Sequence, residues 1–352
     1  MVDWQGLLNW SLQYQDGTKP SQFKQMSEED RKFIEDAFES VVLNEMKEIW
    51  KILDQFKTRE GDSEKEIEDR VELIETLSNY IDGPENARNI IRGKRFIELI
   101  QYFFESKHKE VTIALGRVIT SMMQNDGYIQ KAAMDFGIFN FLTNLNESKD
   151  TELISMYIYM LTGILYGDEL EVRKHFVINL KGVILLYNML LKQKGNYKNY
   201  KRLLNIFADL TKITDVHAKE GITELRKVTL NIIKEIKLHH SFVLMLKDFD
   251  YTNIKNIDII HVLFDNIVNV SELYETTEEI FAQIKTMNGT INSSTVLSEE
   301  EKKEEKKYLM EVIKRVKTRI NEIHSKSEEA KQDAPEMKIV NGKETMRIQI
   351  KK

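Results

Sequence analysis

The chain has no cysteine, only three prolines and only three tryptophans in 352 residues. Each shortage excludes something. Without cysteine there are no disulfides and no thiolate nucleophile. So few prolines suit a chain that is nearly all helix, because proline inside a helix removes a hydrogen bond and clashes with the preceding turn. Long apolar runs are missing as well. The longest uncharged stretch, Leu153 to Gly167, has 15 residues, short of the roughly 20 that cross a bilayer, and reads as a buried helix. Met1-Val2-Asp3-Trp4 shows no basic region followed by an apolar core, so a secretory leader is not expected. A soluble, cytoplasmic protein with no membrane partner is expected. The net charge of −6 is mildly acidic, whereas nucleic acid as main partner calls for a basic face, so no nucleic-acid partner is expected either.

Catalytic patterns are also absent. The chain lacks H-E-x-x-H, the P-loop and the dinucleotide glycine pattern. Its seven histidines are scattered. The adjacent pair His239-His240 is expected to point apart, because residues sharing a helix face lie three or four apart. No enzyme, no cofactor and no metal are expected. The charge-mixed run Glu299 to Lys307 reads as a solvent-facing helix.

What the chain does have is repetition. Ile90-Ile91 leads to Gly93 and then Phe96 to Ile100. Met134 to Phe136 leads to Gly137 and then Ile138 to Leu142. Phe176 to Leu180 leads to Gly182 and then Val183 to Leu186. The glycines are 44 and 45 residues apart. A period in the forties with helical patterning inside each unit marks armadillo or HEAT repeats, which bury a shared core only by stacking. The expected fold is an all-α, right-handed armadillo/HEAT-like helical-repeat solenoid with flanking N- and C-terminal helices.

Five segments are expected. Residues 1–22 form a flexible apolar segment. Residues 23–83 hold flanking helices, the first running from Ser27 to about Phe56 and the second opened by a Ser63/Glu66 capping box with Ile67, Val71, Ile74 and Leu77 inward. Residues 84–272 hold about four repeats, the last degenerate, with third helices at Lys109 to Gln124, Thr151 to Tyr166 and Asn199 to Thr211. Residues 273–325 hold C-terminal helices, the last opened by Ser298 and Glu301, with Leu309, Val312, Ile313, Val316, Ile320 and Ile323 on one side. Residues 326–352 lack helical periodicity and are expected to be disordered.

Third helices line the concave surface of an armadillo solenoid. Periodicity places Arg117 with Ser121, Tyr159 with Gly163, and Asn205 with Asp209 on that surface. None of these is the Trp and Asn pair that recurs in armadillo proteins reading nuclear localisation signals. Gly116 and Gly163 each cost roughly 1 kcal/mol relative to alanine, and admit either close helix packing or close approach by a partner.

Several strings, in order, resemble the armadillo-type nucleotide exchange factors of Hsp70 chaperones, the Hsp70-binding-protein group, in its cytosolic branch. Gln5-Gly6-Leu7-Leu8-Asn9-Trp10-Ser11 is similar to that family's opening L-L-x-W-S. Met26-Ser27-Glu28-Glu29-Asp30-Arg31 resembles its M-S-E-E-x-R. Asp82, Asn86 and Ala87 resemble its D-N-A stretch, with Gly83-Pro84-Glu85 intervening. Ile119-Thr120-Ser121 through Gln124-Asn125 follows I-G-T-x-x-Q-N, with Thr120 replacing the glycine. Lys198 and Arg202 match two basic positions. The resemblance covers residues 5 to 215.

It implies a co-chaperone that grips the Hsp70 ATPase domain and speeds ADP release. Asn86, Ala87, Lys198 and Arg202 would be contacts, with Arg117, Ser121, Tyr159 and Asn205 on the same groove. It also implies an N-terminal segment, Leu7, Leu8 and Trp10, that assists substrate release. Those residues equally suit an amphipathic turn docked on the chain's own repeats. The chain is expected to be a monomer, and the competing reading of the whole chain is a non-chaperone armadillo/HEAT scaffold for protein partners.

Overall fold

The computed structural model of the chain describes residues 27–58, 60–124, 126–143, 148–167, 169–212, 220–332, 338–340 and 343–345. It divides into two compact units, Met1–Val172 and Arg173–Lys352. In the first unit the helices are α1 (Glu28–Gln55), α2 (Glu64–Ile81), α3 (Pro84–Arg92), α4 (Phe96–Glu105), α5 (Lys109–Met123), α6 (Gly127–Asp135), α7 (Ile138–Thr143) and α8 (Thr151–Leu165). A short helix, α9 (Leu170–Lys174), spans the division. The second unit continues through a π-helical turn, His175–Asn179, into α10 (Gly182–Lys192), α11 (Tyr197–Thr211), α12 (Glu220–Glu235), α13 (Leu238–Met245), α14 (Ile254–Asn269), α15 (Glu278–Ser293) and α16 (Glu299–Gln332).

Three-helix repeats are evident: α3-α4-α5, α6-α7-α8, α9-α10-α11 and α12-α13-α14. Third helices pack side by side, α2 and α8 on either side of α5 in the first unit and α11 on α14 in the second. Side-chain caps set several helix starts, though not that of α5. Asp126, Asp150, Asn196 and Asn253 each accept backbone N–H groups of the first turn of α6, α8, α11 and α14. Both expected capping boxes form. Ser63 Oγ accepts from Glu66 N at 3.3 Å while Glu66 takes the Ser63 N–H at 3.1 Å. Ser298 and Glu301 do the same at the start of α16.

Leu115, Ile119, Ile158, Leu161, Leu203, Phe207, Leu263 and Phe264 are fully buried along the third helices, and each such side chain contributes roughly 1.5–3 kcal/mol. On α2 only Ile74 and Leu77 of the expected inward set are buried, while Ile67 and Val71 lie half-buried. On α16 Leu309, Val312 and Val316 are buried and Ile313 and Ile320 sit half-exposed at the margin. That helix runs to Gln332, beyond the point at residue 325 where the pattern ended it, and Lys338–Val340 pairs antiparallel with Lys343–Thr345.

The repeating glycines do not share one structural role. Only Gly137 takes a left-handed backbone, at φ 81°. In the flanking repeats the left-handed residue is a lysine beside the glycine, Lys94 at φ 57° and Lys181 at φ 52°, and in the fourth repeat it is Lys237 at φ 55°. At Lys94 the turn is a Schellman closure, with Arg95 N donating to Ile90 O at 3.0 Å and Lys94 N to Ile91 O at 2.8 Å. Gly93 and Gly182 answer a packing need. A Cβ on Gly93 would come 2.8 Å from Trp50 Cη2, and one on Gly182 would overlap the Phe176 ring.

Candidate binding surfaces

In the first unit, α5 and α8 approach closely through complementary small residues. A Cβ on Gly116 would lie 2.8 Å from Met156 Cγ, and one on Gly163 would lie 2.7 Å from Thr120 Cγ2. Both glycines are buried, so helix packing accounts for both. The closure leaves one exposed stripe on each helix. On α5 it carries Glu110, Ile113, Arg117, Ser121 and Gln124, and on α8 Glu152, Ser155, Tyr159, Thr162 and Tyr166, all exposed or half-exposed. Gln124 Nε2 donates to Tyr159 OH at 3.4 Å, so the two stripes meet. Arg117, Ser121 and Tyr159 therefore share one face. Gly163 faces Thr120 instead.

In the second unit, Lys198, Arg202 and Asn205 form a stripe on α11, with Lys198 and Asn205 exposed and Arg202 half-exposed. Lys201 pairs with Asp258 of α14. Beneath them Asn266 Nδ2 donates to Leu204 O and Asn269 Nδ2 to Ala208 O, each at 3.0 Å, fastening α14 to α11. Asp209 is taken by Arg173. α16 closes over α14 through His261 Nε2 to Glu305 at 2.8 Å and Arg315 to Asp265 at 3.1 Å.

Asn86 and Ala87 are placed differently from the expectation. Ala87 is 2% exposed and Asn86 is 7% exposed. Asn86 Nδ2 donates to Tyr80 O and Glu45 Oε2, both at 2.8 Å. The amide caps the C-terminal end of α2, whose last carbonyls have no partner within the helix. Gln130 on α6 repeats the device 44 residues later, its Nε2 reaching Met123 O at 3.1 Å, Gly163 O at 3.0 Å and Tyr166 O at 2.5 Å. Arg226 on α12 does so in the fourth repeat, donating to Thr211 O and Asn269 O at 3.0 and 2.8 Å. A buried polar residue near the start of a first helix thus holds the ends of neighbouring third helices. The signal that could have found it is a lone polar residue at the same phase of successive repeats.

His239 is buried and His240 exposed, so the two take different helix faces as expected, yet their rings touch. Their ring centres are 4.1 Å apart, and both rings meet Tyr274 edge-on. Tyr274 OH donates to His239 O at 2.5 Å. His239 is buried, its Nδ1 without a partner. Burial, then the neighbouring His240, holds its pKa below the ordinary histidine value. Tyr274 packs against the edge of both rings. Leu7, Leu8 and Trp10 lie outside the described residues.

Among the described residues no group of three or more histidine, aspartate or glutamate side chains is placed to hold a metal ion. Nor is any described helix long and apolar enough to cross a membrane. No family model matches the sequence, and no curated protein matches it. Solved structures do. A designed armadillo repeat protein in complex with the peptide (KR)4 matches with a TM-score of 0.50 at 14% identity, over 74% of this chain and 98% of that one. Two engineered proteins from the Northeast Structural Genomics Consortium match with TM-scores of 0.50, at 17% identity over 76% of this chain and 97% of that one, and at 13% over 77% and 98%. The fold is therefore of the armadillo-repeat type.

Proposed function

We propose that the chain is a protein-binding scaffold whose contact surfaces are the exposed third-helix faces, and that its partner is the ATPase domain of an Hsp70 chaperone, from which it speeds ADP release. The observation carrying the scaffold reading is the stripe pair on α5 and α8. Arginine, tyrosine, amide and hydroxyl groups stand there on a helix pair closed by Gly116 and Gly163. Arg117 offers a planar five-donor fork suited to carboxylates, and Tyr159 a broad amphipathic ring. That the designed neighbour was solved holding a peptide supports this reading.

The chaperone reading rests on the ordered strings between residues 5 and 215, supported by the exposure of Lys198 and Asn205 and the half-exposure of Arg202. Asn86 and Ala87 carry no direct contact in this proposal, because they are buried and hold α3 in place. The mechanism is a population shift. A factor that prefers the open nucleotide cleft moves the equilibrium only by its differential affinity for that state. Leu7, Leu8 and Trp10 are proposed to compete for chaperone-bound substrate.

The test is release of fluorescent ADP from an Hsp70 ATPase domain with and without the full chain. Faster release is expected, with Arg202→Ala weakening binding by about 1–3 kcal/mol at unchanged helicity. Binding without faster release would leave a scaffold and sink the exchange activity. No binding to the ATPase domain would remove the chaperone as partner.

A further inference from the structure

We infer that the face formed by α10 and α13 is a docking surface for an anionic membrane interface. The two helices lie side by side in a fixed register. Tyr187 OH meets Ser241 Oγ at 3.0 Å, and Lys194 pairs with Asp248 at 2.7 Å. Both contacts join residues 54 apart in sequence. The same offset sets Leu191 level with Met245, one residue from Leu244, and Ile184 level with Leu238 at the start of α13. Leu191, Leu244 and Ile184 point away from the core, 56%, 49% and 38% exposed. They form one patch of the kind that marks an interaction site, which a single exposed leucine does not.

The fold does not demand this patch. The corresponding second helices of the first unit, α4 and α7, carry no exposed large apolar side chain among the described residues. Their exposed positions are polar or charged: Gln101, Glu105 and Asn140.

The surrounding charge selects the occupant. Lys181 at the start of α10, Lys237 just before α13 and Lys247 just after it are exposed. Among the described residues none of the three makes an ion pair. The patch is thus bracketed by unpaired lysines at both ends, in a chain whose net charge is −6. Lysine is depleted from protein–protein interfaces but favoured where an apolar face lies on acidic headgroups. Aliphatic side chains entering the acyl boundary and lysines meeting phosphate or carboxylate headgroups supply the two signals that reversible membrane binding requires.

Co-sedimentation of the full chain with phosphatidylcholine vesicles, with and without about 30% phosphatidylserine, tests this. The wild-type chain should sediment with the anionic vesicles only, and raising salt to about 0.5 M should release it. Leu191→Ser with Leu244→Ser should lower binding about tenfold, and separately Lys181→Glu with Lys247→Glu should lower it by about 25-fold or more, since each lysine near an anionic surface is worth roughly fivefold. Circular dichroism and the melting temperature should be unchanged in both. Absence of wild-type binding, or binding undiminished in the folded variants, overturns the proposal. If vesicles are ignored while a synthetic glutamate-rich amphipathic helix binds and the leucine pair abolishes that binding, the face serves a protein partner and the lipid proposal fails.

Discussion

The two units meet one requirement with different chemistry. Third helices packed side by side end in carbonyls that water cannot reach, and each such carbonyl needs a donor. The first unit uses neutral amides, Asn86 at the end of α2 and Gln130 at the ends of α5 and α8. The second uses a guanidinium. Arg226 reaches the ends of α11 and α14, then pairs with Glu272 at 3.0 Å, which also holds Arg319 of α16 at 3.1 Å. A neutral amide satisfies carbonyls without bringing a charge out of water. An arginine brings a desolvated charge that must be fully paired. In return it extends the cap into a network that fastens the long C-terminal helix. The end of the second unit is therefore held by ion pairs where the first is held by dipoles.

The sharpest way to break that contrast is to remove each cap. Arg226→Ala should cost about 3–5 kcal/mol, because it leaves two buried carbonyls without a donor and Glu272 with Arg319 as its remaining partner. Gln130→Ala should cost about 1–3 kcal/mol, the desolvation of carbonyls alone. Urea unfolding followed by hydrogen exchange should find the first loss at α14 and α16 and the second at α5 and α8. Equal costs, or loss spread evenly over the chain, would show that the two caps are not different in kind.

A smaller effect separates the units by pH. His239 is buried neutral in the second unit, with His240, Tyr274, Glu279 and Lys234 as its titratable neighbours. Its pKa is held below the unfolded value, so the unfolded chain binds the proton more readily. Stability is then complete above about pH 6.5 and is lost as pH falls below that towards the folded pKa. Exchange at α13 and α15 should accelerate between pH 7 and 5 relative to α5 and α8, and His239→Leu should remove the difference. A His239→Leu chain that keeps the full pH response would place the titration elsewhere.

The smallest effect concerns the turns. Lys94→Gly should stabilise the chain by about 0.5–1 kcal/mol, since the left-handed backbone at that position strains a lysine and not a glycine. Gly137→Ala should destabilise it by a similar amount for the same reason. Thermal melting of both variants checks the pair. A destabilised Lys94→Gly would mean that its side chain holds the turn by contacts outweighing the strain.

How much was legible depends on the distance over which the cause acts. The third helices could be bounded to within a residue or two because their caps and apolar phase are local, as with Asp150 and the run that follows it. The capping boxes at Ser63 and Ser298 were legible for the same reason. The stripe of Arg117, Ser121 and Tyr159 came from periodicity alone, which fixes a face once one buried position is known. Asn86 entered as a contact through the resemblance, and its cap on Tyr80 O was not legible because that partner belongs to another helix. That the rings of His239 and His240 touch although they take different faces was not legible, because both pack against Tyr274, 35 residues away from His239, which a rule about helix faces does not see.

By itself, then, the sequence determined that this chain is a stack of helical repeats about 44 residues long, because period, caps and apolar phase all act within one repeat. Only the tertiary structure decided which glycines serve packing and which serve a turn, and which polar residues cap their neighbours. Those outcomes depend on what stands opposite each side chain across the helix interface, and a linear pattern carries no record of that.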